Sequence, residues 1–125
     1  MEKMMIENFG IFRTQQLMQQ GLEKLKQLKR RYQQVIVQDK GSRYNLDLIR
    51  VLELGLMLEL AEVIAVGAIA RKESRGAHFR EDFPKMDNDH FLKHTIVRRD
   101  DHGNPALSYK DVIVEDIEPL KEIKY

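Results

Sequence analysis

The chain has 125 residues, 42% of them hydrophobic and 33% charged, with a formal net charge of +1. This is one domain's worth of ordinary globular composition, large enough to bury a core of its own. The near balance of charge excludes a global basic field for nucleic acid, and the absence of cysteine excludes disulfides, thiolate metal ligands and a cysteine nucleophile.

In chain order, Met4, Met5, Ile6 and Phe9 line one side of a short helix over residues 1–10, which Gly10 closes. Thr14 is placed to N-cap a second helix, its hydroxyl accepting an orphan backbone N–H. There Met18, Leu22, Leu25, Leu28, Tyr32 and Val35 recur at steps of three and four. The pattern makes one apolar stripe over about six turns. Lys24, Lys26, Lys29, Arg30 and Arg31 fall off that stripe and read as a solvated face, since no aromatics interleave them as a nucleic-acid surface requires. Asp39-Lys40-Gly41-Ser42 is a loop.

Asn45 then caps the longest helix, with Asp47 in its first turn where the helix dipole favours negative charge. Apolar residues occupy nearly every face from Leu46 to Ile69, which predicts cover on several sides, more than the first two helices can supply, with part of it from the later hairpin or from a surface outside this chain. Gly55 and Gly67 mark places where a neighbour comes close. Val51–Ala70 has the length of a bilayer span, but Glu53, Glu59 and Glu62 make it a bundle helix with a polar stripe.

The helix runs directly into Arg-Lys-Glu-Ser-Arg-Gly-Ala-His-Phe-Arg-Glu-Asp-Phe-Pro at residues 71–84, far more charge than a helix end needs. A triad of Ser74 with His78 and Asp82 is rejected, as it is with Ser108 in place of Ser74: neither serine stands in a Gly-x-Ser-x-Gly elbow, and one loop seldom reaches triad geometry. After Pro84 the chain becomes β-like. Thr95-Ile96-Val97 and the alternating Ser108–Val114 segment flank the turn residues Asp100 to Pro105, predicting a β-hairpin and then an irregular tail. His90 and His94 have the spacing of two metal ligands on a helix, with Asp87 and Asp89 nearby. The second histidine enters a predicted strand, however, where such positions lie about 13 Å apart, so no metal site is expected.

The run from Glu73 to His78 resembles the Glu-Ser-Arg-Gly-Ala-His signature of succinate dehydrogenase and fumarate reductase flavoprotein subunits. In that family it also closes on an acid, an aromatic and proline, as Asp82-Phe83-Pro84 do here. The likeness extends over essentially the whole chain. Glu2 to Arg13 is similar to the family's entry into its C-terminal helical domain, and Leu52-Glu53-Leu54, Met57-Leu58 and Ala61-Glu62 to its central helix. Ala68 and Arg71 stand where that helix delivers the chain into the signature. Lys93-His94-Thr95 resembles the family's tail beyond the signature, and Lys124-Tyr125 the Arg-x-Tyr ending of many members.

The resemblance implies a mainly α fold: a three-helix, spectrin-repeat-like bundle followed by a short β-hairpin and an irregular tail. Residues 1–84 would form the bundle and signature loop, and residues 85–125 the hairpin and tail of the same domain. It implies a parent that interconverts succinate and fumarate by hydride transfer between the C2–C3 bond and FAD, passing electrons to an iron–sulfur subunit. The Gly-x-Gly-x-x-Gly fingerprint for FAD is missing here. So are the family's flavin-attaching histidine and its dicarboxylate-binding His and Arg residues. The chain itself is therefore expected to hold no cofactor, no metal and no catalytic residue.

The implied partners are the FAD-binding domain of the same polypeptide, an iron–sulfur subunit and a membrane anchor, with no nucleic acid. That places the parent complex in the cytoplasm at the inner face of the membrane. The start inside a family motif reads as a piece of a longer polypeptide, and the apolar excess predicts self-association of the isolated chain. Glu73, Ser74, Arg75, Gly76, His78, Arg80, Glu81 and Asp82 are the candidate interdomain docking residues, against a plainer reading in which they only tie down their own loop. Two alternatives stand beside this: a free-standing helical module that docks on a separate flavoprotein, and the C-terminal domain of L-aspartate oxidase. Ala77 departs from the aspartate oxidase signature.

Overall fold

Two helices carry the architecture. The computed structural model describes residues 1–120. It runs from α1 (Glu2–Phe9) and a two-residue strand β1 (Phe12–Arg13) into α2 (Gln15–Tyr32), then through a loop into α3 (Leu46–Ala70). A second short strand β2 (Phe79–Arg80), a single-turn helix α4 (Asn88–Phe91) and the strands β3 (Lys93–Arg99) and β4 (Pro105–Asp111) complete the order. Both long helices start at the residues expected to cap them: Thr14 Oγ1 accepts the Leu17 N–H at 3.2 Å, and Asn45 Oδ1 accepts the Leu48 N–H at 2.8 Å. Asp47, in the first turn of α3, holds the preceding loop by accepting the Gln38 N–H at 2.6 Å.

The core lies where α1 and α2 meet the C-terminal half of α3. Met4, Phe9, Met18, Leu25, Leu58, Ala61, Ala65 and Ala68 are buried, with Leu22, Leu28, Tyr32, Leu54 and Ile69 packed around them. Alanines at steps of three and four on α3 leave room for Met18 and Leu25, which are fully buried. The predicted stripe on α2 is thus the buried one as far as Tyr32. Val35, its last expected member, lies beyond the helix end and is 42% exposed, so α2 has about five turns instead of six.

Lys29 also departs from the solvated face assigned to it. It reaches across to Glu62 at 2.5 Å and Glu59 at 3.2 Å, giving those two α3 carboxylates a counter-charge. Glu59 is shared with Arg99, which ties β3 into the same cluster.

The hairpin is present with shifted ends. β3 and β4 pair antiparallel with Thr95 opposite Tyr109, and β4 begins at Pro105 and stops at Asp111, leaving Val112 and Val114 outside it. Its side chains approach α3 at Gly67, where Thr95 Cγ2 and Val97 Cγ2 lie 3.7 Å from an added Cβ. At Gly55 the neighbour is the Tyr32 ring. A comparably close approach at Gly21 was not anticipated: a Cβ there would stand 2.5 Å from Phe9 Cε2 and 2.6 Å from Asn8 Cβ.

Cover of α3 is incomplete. Leu52, Leu56, Leu60 and Ile64, a single i,i+4 stripe, are 56%, 72%, 60% and 45% exposed. The hairpin adds to the cover that α1 and α2 give, and this stripe is the part of α3 that the three leave bare. Among the described residues no helix is long and apolar enough to cross a membrane. The Lys124-Tyr125 ending lies outside the described residues.

The glycine contacts yield a paired prediction. Gly21→Ala should lower unfolding stability by about 1–3 kcal/mol through overpacking against α1. Gly67→Ala meets only ordinary contacts and should raise it by roughly 0.5–1 kcal/mol through helix propensity. Urea denaturation of both variants beside the parent chain checks the opposite signs.

Candidate functional site

After α3 the chain must reverse, and residues 71–87 do so around three buried polar side chains, Glu73, Ser74 and Arg80, which are 0%, 2% and 0% exposed. Gly76, at φ +57°, takes the left-handed conformation of a tight turn in which Arg75 and His78 exchange backbone hydrogen bonds at 2.8 and 3.1 Å. Ser74 fastens the turn from within. Its Oγ accepts the Arg80 N–H at 2.8 Å and donates to the Phe83 carbonyl at 2.9 Å. Those bonds commit the hydroxyl to structure.

Arg80 is the central cation. Its Nε and Nη2 grip both oxygens of Asp82 at 2.7 Å, its Nη1 donates to the Ile69 and Arg71 carbonyls at 3.3 and 3.2 Å, and Nη2 also reaches Gln15 Oε1 at 3.1 Å. The guanidinium lies 4.9 Å from the centre of the Phe83 ring. Asp82 in turn accepts the Gln15 N–H at 2.9 Å. A cation therefore sits on the last carbonyls of α3 and its carboxylate partner on the first turn of α2, each at the helix pole that favours it. The Arg80 hydrogen bonds first, and then the Gln15 N–H, lower the Asp82 carboxyl to about 2 against the opposing effect of burial.

Glu73 is the buried anion. It accepts both Nε and Nη2 of Arg75 at 2.9 Å, a short contact from Arg71, and the Asp87 N–H at 2.9 Å. Arg71 continues to the Phe91 and Lys93 carbonyls at 3.0 and 2.6 Å and to Thr95 Oγ1 at 3.2 Å. Arg75 reaches Asn88 Oδ1 at 2.7 Å. One carboxylate thereby joins the end of α3 to α4 and the start of the hairpin.

His78 faces the other way, toward β1. Its Nδ1 stands 2.6 Å from Arg13 Nη1 and its Nε2 3.1 Å from the Arg71 carbonyl. Arg13 can only donate and a carbonyl can only accept, so the ring is neutral with its proton on Nε2. Burial chiefly, then the charges of Arg13, Arg80 and Arg71, hold its pKa below the ordinary 6.5, against the pull of the Arg71 carbonyl. Beside this bond β1 pairs parallel with β2, Phe12 opposite Phe79 and Arg13 opposite Arg80, and the two phenyl rings meet edge to face at 5.7 Å.

The structure thus gathers seven of the eight candidate residues into one bonded cluster or its turn. Glu81 is exposed, and its backbone N–H donates to the Arg13 carbonyl at 2.9 Å. Reasoning along the chain missed Arg13, Gln15, Arg71 and Asn88 as members, because their partners lie 65, 65, 22 and 13 residues away in the bonds above. The available signals were the family likeness of Glu2 to Arg13, which ends on Gly10-Ile11-Phe12-Arg13 ahead of the Thr14 cap, and that of Arg71 before the signature. His90 and His94 separate onto α4 and β3, and His90 pairs with Asp87 at 2.9 Å. Among the described residues no three His, Asp or Glu side chains are grouped to hold a metal ion.

A family model described as "Fumarate reductase flavoprotein C-term" matches residues 1–125. The chain belongs to this family. The fumarate reductase flavoprotein subunit of Escherichia coli strain K12 is 44% identical over 121 residues, covering 95% of this chain and 20% of that protein. The Coxiella burnetii succinate dehydrogenase flavoprotein subunit is 44% identical over 112 residues, covering 90% and 18%. In three dimensions the chain is similar to E. coli quinol fumarate reductase FrdA, with a TM-score of 0.91 at 44% identity over 95% of this chain and 21% of that one. Mycobacterium smegmatis Sdh1 is similar at 0.81 and 30% identity, covering 90% and 19%. The chain spans about a fifth of the length of the flavoprotein subunits it matches.

The ion pairs of this flavoprotein C-terminal domain set two expected outcomes. Arg80→Met should destabilise it by about 3 kcal/mol, since the α3 carbonyls and Asp82 lose their donors together. The Asp82 carboxyl has a folded pKa below its ordinary 3.8, so its contribution is complete above about pH 4 and is lost as pH falls toward 2. Asp82→Asn should flatten that acid limb in a pH series of urea midpoints.

Proposed function

We propose that this domain is the C-terminal structural and docking part of a longer flavoprotein subunit whose FAD-binding portion interconverts succinate and fumarate by hydride transfer. The observation that carries this reading is the apolar surface the domain leaves uncovered. It comprises the α3 stripe of Leu52, Leu56, Leu60 and Ile64 and, at the signature-loop end, Ile11 and Phe12, 61% and 67% exposed. Surface of that kind marks an interface, and the match to only a fifth of each relative supplies a large body of chain to cover it.

The residues present do not suit FAD. Among the described residues parallel pairing is confined to the two-residue strands β1 and β2, and the sequence has no Gly-x-Gly-x-x-Gly. No step of the flavin chemistry is therefore routed through these side chains. In this reading Glu73, Ser74, Arg75, Arg80 and Asp82 act from inside, fixing the loop's shape by ionic bonds within the domain. Gly76, His78 and Glu81, with Phe12 and Phe83 beside them, form the rim that meets the flavin portion. Through the parent complex the domain would sit with an iron–sulfur subunit and a membrane anchor at the inner face of the membrane.

Ala77 and the names of the relatives support this over an L-aspartate oxidase parent. A free-standing module docking on a separate flavoprotein would use the same surface, and the two are told apart by whether one reading frame encodes both parts.

Co-expression with the FAD-binding portion of its own polypeptide should give a one-to-one complex that carries flavin absorbance through sedimentation. Leu56→Glu with Phe12→Glu should abolish it while leaving the domain folded. A flavin portion that binds FAD and reduces fumarate equally well without this domain would refute the reading. Alone, the chain should sediment above monomer mass at high concentration, and Leu56→Glu with Leu60→Lys should return it to monomer.

A further inference from the structure

The strand β1 has two residues and leads from α1 into the first residue of α2, Gln15, which Asp82 and Arg80 hold to the same loop. Its own attachments to that loop include the pairing with β2, the Glu81 N–H on the Arg13 carbonyl, the Phe12–Phe79 ring contact, and the Arg13–His78 bond. We propose that the Arg13–His78 bond is an acid-released clasp: a proton on Nδ1 converts an acceptor into a donor facing a guanidinium, and β1 with Phe12 leaves the loop.

The surroundings make that change one-directional. From β1 the ring faces Arg13, from the end of α3 Arg71, from β2 Arg80, and across a cavity of about 460 Å³ Arg75, Lys93 and His94. The two acids of the cluster are already committed, Glu73 to Arg71 and Arg75, and Asp82 to Arg80 and the Gln15 N–H. A protonated ring would add a further cation to this group with no free carboxylate among these neighbours to receive it. The cavity, which His78 itself lines, gives water and protons a route to the ring.

The consequence falls on the rim proposed above as the docking surface, so as a control of docking the clasp rests on that reading. Phe12, Phe79 and the turn beside them are arranged while β1 is fastened, and acid would dismantle the arrangement. Neutral His78 favours the folded state, so the clasp is complete above pH 6.5 and is lost as pH falls through the lowered pKa.

The test uses this chain alone, which keeps it independent of whether the docking partner is the one proposed. Long-range nitrogen–proton NMR spectra of the histidine rings are followed from about pH 8 to about pH 4.5. His78 should show the Nε2–H form and titrate below 6.5, with the Phe12 and Arg13 resonances moving at the same midpoint. Protection of the Glu81 amide from hydrogen exchange should fall about tenfold across that midpoint. In His78→Asn, which offers an acceptor near the Nδ1 position and takes up no proton, these changes should vanish. Phe12 and Arg13 signals that stay fixed while His78 titrates would overturn the proposal, as would the same acid step persisting in the asparagine variant. If that variant does not fold, the wild-type ring titration decides.

Discussion

A guanidinium with no exposure to water, held between two helix poles, is the constraint on which the rest of this domain depends. Arg80 is 0% exposed, and a buried unsatisfied charge costs several kcal/mol, so the chain around it must deliver acceptors on every side. It does so with the last carbonyls of α3, the Gln15 side chain of α2 and both oxygens of Asp82. Asp82 then turns to the first N–H of α2. The start of one long helix and the end of the other are thereby fixed to one another by polar bonds that work with both helix dipoles.

Glu73 repeats the logic with the opposite sign. A fully buried carboxylate takes two guanidinium groups and a backbone N–H, and the second interactions of those arginines reach α4 and the hairpin. This accounts for the dense charge in residues 71–84 on physical grounds. Glutamate, serine and arginine fill a polar interior that joins the end of α3 to β1, α2, α4 and β3, and Gly76 supplies the left-handed turn of this loop.

The apolar surface of α3 points two ways. Small alanines on one side admit α2 closely, while leucines on the other side stay in water. A helix that is apolar all round is normally buried all round. The uncovered stripe departs from that rule, and the proposed docking rests on it.

The sequence by itself determined α1, α2 and α3, the caps at Thr14 and Asn45, the buried stripe on α2, the hairpin, and the kinship carried by the Glu73–His78 run. Each is encoded within a few turns of chain: the helix period, the hydroxyl or amide one residue ahead of it, and β-branched pairs around a turn. Only the tertiary structure decided that Arg13 meets His78, that Gln15 meets Arg80, and that Arg71 holds the hairpin. It also decided which side of α3 stays bare. Those facts depend on contacts between residues 22 to 65 positions apart, whose geometry is set by how the helices cross and not by local propensity. A helix that is apolar on nearly every face carries no periodic signal of which face its neighbours will take, so that choice belonged to packing alone.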